Sequence, residues 1–167
     1  MEISTSAERR IDAPAERVFE YLADYREHHP KILPPQFGPL EIERGGVGAG
    51  TVARFSMTLG GRTTDYRVEV DVPEPGRVLT ETDPARRTVT TFTVEPTADG
   101  GSVVRIDTSW VSDGIMGFVE RLAAPQMLKG VYAQELENLD RYVRADETDA
   151  AKVPSGSGTI PSGYPAT

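Results

Sequence analysis

At 167 residues, with 38% apolar and 26% charged side chains, the chain has the length and composition of one globular domain and not of a disordered protein. It contains no cysteine, which excludes disulfides, thiolate metal sites and a cysteine nucleophile. A net charge of −8 argues against a nucleic-acid partner, and no apolar run approaches the roughly 18 residues of a membrane span. The first residues carry Glu2, Glu8, Arg9, Arg10 and Asp12 without an apolar stretch. They do not read as a secretory signal, so the cytoplasm is the expected location. Arginine greatly outnumbers lysine (Lys31, Lys129 and Lys152), a bias of GC-rich bacterial genomes.

In chain order, Ile3 to Ile11 reads as an N-terminal strand. Pro14 suits a first helical turn, with Asp12 or Ala13 as the cap, and Val18, Phe19 and Leu22 follow at helical spacing. A second short turn is expected near Tyr25 to His28, stopped by Pro30 and Pro34-Pro35. Leu40 to Arg44 begins a meander. Phe55, Met57 and Leu59 alternate with polar neighbours and end at Gly60-Gly61, a two-residue hairpin signal. Tyr66, Val68, Val70 and Val72 then alternate with Asp65, Arg67, Glu69 and Asp71, giving one buried and one wet face. Val78 to Thr82 is a short strand. Thr88, Thr90, Phe92 and Val94 mark the next, and Val104, Ile106, Thr108 and Trp110 the last. Short turns between half-buried strands make sequential neighbours antiparallel.

From Gly114 to Arg144 the periodicity is helical, in two stripes: Ile115, Phe118, Val119 and Leu122, then Leu128, Tyr132, Leu136, Leu139 and Val143. The stripes are out of phase by about one residue and Pro125 lies between them. A kink or break near Ala124-Pro125 is therefore expected. Residues 126–144 would pack on the sheet, and Ile115 to Leu122 would cap one end of a cavity as a gate. After Arg144 the chain is rich in Ser, Gly, Pro, Thr and Ala, so 1–144 reads as the domain and 145–167 as a disordered tail.

The order strand, short helices, six-strand meander, long helix resembles the SRPBCC (START-like, helix-grip) superfamily, and within it the polyketide cyclase/dehydrase-like branch. The resemblance rests on five stretches: Ile11 to Phe19 at the strand-to-helix junction, His29 to Pro34, the glycine-rich Gly45 to Thr51, Arg77-Val78-Leu79, and Gly100 to Val104. It implies an α+β helix-grip fold: a curved seven-stranded antiparallel sheet wrapped around a long C-terminal helix, with two short helices between strands 1 and 2. It also implies a cavity between sheet and helix, as in relatives that bind sterols, lipids or polyketides. Some relatives catalyse cyclisation or dehydration, but no family-wide catalytic motif carries over.

Read residue by residue, Gly46-x-Gly48-x-Gly50 is a hairpin and not a phosphate loop, because a strand follows it and not a helix. His28-His29 read as surface loop, with a general base at the cavity mouth as the rarer reading, and no partner completes a metal site. Asp65, Glu69, Asp71 and Asp107 fall on the polar phase, so no acid, base and nucleophile converge. Hydroxyls on the apolar phase (Tyr66, Thr88, Thr90, Thr108) beside Trp110 suit an apolar pocket with a few polar contacts. The expected ligand-binding set is Phe55, Met57, Tyr66, Val68, Thr90, Phe92, Thr108, Trp110, Phe118 and Leu122. Tyr66 is the candidate catalytic group. No metal and no cofactor are expected. The leading expectation is a monomer or weak homodimer that binds a small apolar, lipid-, polyketide- or aromatic-like molecule. The alternative is a polyketide aromatase, cyclase or dehydratase in the same cavity. An interaction module is disfavoured, because the outward phases are charged.

Overall fold

A computed structural model of the protein describes residues 1–112 and 117–152. The alternating segments are strands: β1 (Glu2–Ile11), β2 (Glu41–Arg44), β3 (Val52–Leu59), β4 (Arg62–Glu74), β5 (Val78–Asp83), β6 (Thr88–Pro96) and β7 (Ser102–Val111). They form one antiparallel sheet in the order β1-β7-β6-β5-β4-β3-β2. The N-terminal strand thus lies beside the last strand, while the others follow in sequence as a meander. Gly60 and Gly61 both have positive φ, +56° and +80°, in the two-residue turn that sets Leu59 opposite Arg62. Irregular register between Asp71 and Glu74 in β4 marks a bulge, which bends a strand.

Between β1 and β2 lie α1 (Ala15–Ala23) and α2 (His29–Ile32). Both differ in detail from expectation. Pro14 itself is the N-cap of α1, so neither Asp12 nor Ala13 caps it. Pro30 lies in the first turn of α2 and does not stop it, since a first-turn residue needs no N–H donor. The glycine-rich loop is pinned to this segment. Tyr25 N–H donates to the Gly46 carbonyl (2.9 Å) and Gly48 N–H to that of Ala23 (2.9 Å). Asp24 Oδ1 accepts from the N–H groups of Arg26 and Glu27, and its carbonyl accepts from His29 N–H at 2.7 Å. These bonds fix Tyr25 and His29 over the sheet.

The long helix α3 (Gly117–Lys152) departs most from expectation. It runs through Pro125 as one element and continues past Arg144 to Lys152. Interior proline removes one helical hydrogen bond, and tertiary contacts outweigh that loss. The Thr5 hydroxyl donates to the Pro125 carbonyl at 2.9 Å, tying the proline turn to β1. Beyond Arg144, Arg17 of α1 pairs with Asp146 and Glu147, anchoring the extra turns of helix. Residues 145–152, expected within the tail, are thus helical, and residues 153–167 lie outside the described residues.

One face of α3, carrying Leu128, Val131, Tyr132, Leu136, Leu139 and Val143, is buried with Ala7, Ile11, Leu79, Phe92, Val94 and Ile106 of the sheet and Val18, Leu22 and Ile32 of the short helices. At its far end, buried Asp140 accepts from the Arg9 and Arg144 guanidinium groups.

Candidate functional site

Cross-strand register decides where this interior is filled and where it is hollow. Residues directly opposite share a face of the sheet. The row Leu79–Phe92–Ile106 is apolar and closed. The next row along the same strands is polar: Glu81 opposite Thr90, and Thr90 opposite Thr108. The row after that is Asp83–Thr88–Trp110. Above the polar rows, between sheet and α3, lies a cavity of about 480 Å³. That volume falls in the range of roughly 300–1,000 Å³ common for small-molecule sites.

Apolar walls come from Phe37, Phe55, Met57, Val68, Trp110 and Leu128. Tyr66 stacks on its cross-strand partner Phe55 with ring centroids 5.4 Å apart, and the Arg86 guanidinium lies 5.2 Å over the Tyr66 ring. Exposed Arg62, Ala85 and Arg86 also line the cavity and mark its open side.

The inner end is polar and buried. His29, from the first turn of α2, is 3% exposed and stacks on Tyr25 at 4.4 Å. Its Nδ1 lies 2.7 Å from the Leu22 carbonyl. A carbonyl only accepts, so Nδ1 carries the hydrogen and Nε2 faces the cavity. Nε2 is 4.0 Å from Glu81 Oε1 and 4.0 Å from Glu135 Oε1. The Tyr25 hydroxyl donates to Glu81 Oε1 at 2.6 Å. Burial, reinforced by the charge of Glu81, holds the Glu135 carboxyl well above the usual carboxylate range. Burial also raises the Tyr25 hydroxyl, with help from Glu81. Beside this cluster, Thr90 Oγ1 is 2.9 Å from Thr108 Oγ1, which is 2.6 Å from the Tyr132 hydroxyl. Burial pushes the Tyr132 hydroxyl up as well. Asp83, also buried, is occupied by the N–H groups of Arg67 and Arg86 and holds the β5–β6 turn.

Phe55, Met57, Tyr66, Val68, Thr90, Phe92, Thr108 and Trp110, named from the sequence, all line this one cavity. Leu122 does not. It is 66% exposed, because an unbroken helix keeps it roughly 120° around the axis from Leu128. Ala124, one turn before Leu128, lines the cavity instead, and exposed Ala123 borders it. Ile115 and the side chain of Phe118 lie outside the described residues, as does most of the proposed gate. The surface reading of the histidines is also corrected: His29 is buried in the cavity, and half-buried His28 stacks on Tyr21 at 4.2 Å with Nδ1 2.9 Å from the Tyr142 hydroxyl. Acid and base groups therefore do converge. Glu81 and Glu135 were missed, though each had a signal. Glu81 shares the inward phase of Leu79, and Glu135 lies four residues before Leu139 on the buried stripe. Among the described residues, no group of three or more His, Cys, Asp or Glu side chains could hold a metal ion.

A sheet gripping one long helix over an internal cavity defines the START-like helix-grip (SRPBCC) superfamily. Within it, the chain belongs to the family described as polyketide cyclase / dehydrase and lipid transport, whose model matches residues 2–144. The family points to a helix-grip domain that holds hydrophobic ligands. The solution structure of KanY is 32% identical, covering 86% of this chain and 99% of KanY, with a TM-score of 0.76. A protein from Thermus thermophilus is 22% identical, covering 86% of this chain and 98% of its own, with a TM-score of 0.70. A point mutant of norcoclaurine synthase from Thalictrum flavum, bound to a transition-state analogue, is 17% identical, covering 88% and 97%, with a TM-score of 0.67. The last two share the fold. No curated protein matches the chain. No helix among the described residues is long and apolar enough to cross a membrane.

Proposed function

We propose that this protein binds a small aromatic or polyketide-like molecule inside the cavity, its apolar body against Phe55, Tyr66 and Trp110 and its polar end toward His29, Glu81 and Glu135. The observation that carries this reading is the division of one cavity into an apolar wall and a buried polar end. Such a division orients a ligand by a few polar contacts while burial supplies affinity. Native mass spectrometry of the purified protein, before and after organic extraction, tests it. A retained small molecule that extraction removes is the expected result; rebinding should shift the emission of Trp110, the chain's single tryptophan and part of the cavity wall. A protein that carries no ligand, and whose Trp110 emission ignores polycyclic aromatics added at millimolar concentration, would refute it.

A second reading is catalysis in the same cavity, as a polyketide aromatase, cyclase or dehydratase. The convergence of His29 with two buried carboxyl groups favours it, because a carboxyl raised by burial keeps its proton to higher pH and can donate it to a carbonyl oxygen. Tyr66 is then a polarising group on the opposite wall. With a polyketide substrate in hand, Tyr66→Phe should lower turnover about tenfold or more. Unchanged turnover removes Tyr66 from the mechanism.

A further inference from the structure

The polar end of the cavity gathers two buried carboxyl groups and holds no lysine or arginine. The Glu135 side chain is 3% exposed, lines the cavity and makes no hydrogen bond to any described residue; the basic group beside it is His29 Nε2 at 4.0 Å. That separation exceeds hydrogen-bond reach. Glu81 receives the Tyr25 hydroxyl on Oε1, and His29 Nε2 is likewise 4.0 Å away. The Nδ1 hydrogen of the imidazole is already used on the Leu22 carbonyl, so the ring presents only Nε2 to the cavity. The nearby hydroxyls of Thr90, Thr108 and Tyr132 spend two of their three hydrogens on one another. The cations that line the cavity, Arg62 and Arg86, stand on the exposed side, and Arg86 is engaged with the Tyr66 ring and the Asp65 carbonyl. Buried polar groups in proteins are normally paired, and two neighbouring carboxyls with no cationic group within hydrogen-bond reach are a costly arrangement.

Resting on the reading of this cavity as a ligand site, we propose that the ligand carries a protonated primary amine, which seats between Glu81 and Glu135 while its aromatic body lies against the apolar wall. An ammonium group supplies three N–H donors and one positive charge to two converging carboxyl groups. A hydroxyl supplies one donor and a carbonyl none. Binding pairs the ammonium with a Glu135 carboxylate, and a proton held by the raised carboxyl leaves to solvent. The titratable or charged groups facing this position are His29 from α2, Glu81 from β5, Tyr25 from the α1–α2 connection and Tyr132 from α3 itself.

Isothermal titration of the full chain with 2-naphthylmethylamine and with its neutral counterpart 2-naphthylmethanol, at pH 7.5, tests this. The amine should bind about tenfold tighter or better, the scale of a desolvated charge pair. Glu135→Gln should weaken the amine about tenfold and bring the amine-to-alcohol ratio below about threefold. Glu81→Gln, checked for folding by circular dichroism, is the second variant and should act in the same direction. Equal affinities in the unsubstituted protein, or an amine preference that survives in both variants, would overturn the inference. If the alcohol binds and the amine binds no better, the amine site fails while the cavity reading stands. If neither compound binds, both fail.

Discussion

Leu139→Ala is expected to destabilise the protein by about 2–5 kcal/mol, whereas Leu122→Ala should change its stability by less than about 0.5 kcal/mol. Both are leucines of the same helix, and they differ in which way they face. Leu139 has no exposed surface and packs in the core shared by α3, the sheet and the short helices. Removing its side chain deletes apolar contacts and leaves a cavity that close-packed neighbours fill only in part. Leu122 is 66% exposed and has little buried surface to lose. Urea denaturation of both variants measures the contrast. Had the helix broken at Pro125 and turned Leu122 inward, the two substitutions would carry similar penalties, so comparable losses would contradict a helix continuous through the proline. A domain of this size has roughly 5–15 kcal/mol in hand, so the Leu139 variant should stay folded at 25 °C with a clearly lowered midpoint.

Glu135→Gln is expected to stabilise the protein at pH 8 by about 1–3 kcal/mol and to do nearly nothing at pH 4. The sign follows from the raised carboxyl. Below the ordinary glutamate range the group is protonated in both folded and unfolded chains, and no difference arises. As pH rises through the ordinary glutamate value of 4.5, the unfolded chain ionises while burial, together with Glu81, keeps the folded carboxyl protonated. Stability then falls with pH until the folded group also ionises, after which the penalty is complete. Glutamine has nearly the same shape and no charge, so it removes the penalty and its pH dependence together. Denaturation midpoints of the two proteins at pH 4, 6 and 8 provide the check. Parallel profiles, with no convergence at low pH, would show that Glu135 does not titrate abnormally. A gain in stability coupled to lost amine binding is the trade expected of a binding group held in an unfavourable environment.

Much of this protein is legible in its sequence because period-2 alternation is a local property. Tyr66 to Val72, and Val104 to Trp110, announce half-buried strands, and Gly60-Gly61 supplies a turn that tolerates positive φ at both positions and so joins Leu59 to Arg62. The same alternation put Phe55, Tyr66, Thr90, Thr108 and Trp110 on one face, hence around one cavity. Helix α3 was less legible. Pro125 and the phase slip on either side of it read as a break, since propensity is counted locally. Contacts from Thr5 and Arg17, distant in sequence, hold the turns around Pro125 and beyond Arg144 in one helix.

The polar end of the cavity lay furthest from view. Glu81 and Glu135 are 54 positions apart by their residue numbers, and nothing in either neighbourhood names the other. His29 follows another histidine and precedes a proline, which reads as surface loop; the glycine-rich loop clamps its segment down and turns the imidazole inward. The sequence by itself determined which residues face inward along each strand, and so the sheet, its turns and the apolar wall, because burial on one face imposes a repeat of two. Only the tertiary structure decided that the helix continues through its proline, and that two carboxyls and an imidazole meet in the same buried space. Those outcomes depend on register between distant strands and on packing across the core, where long-range contacts outweigh local preference.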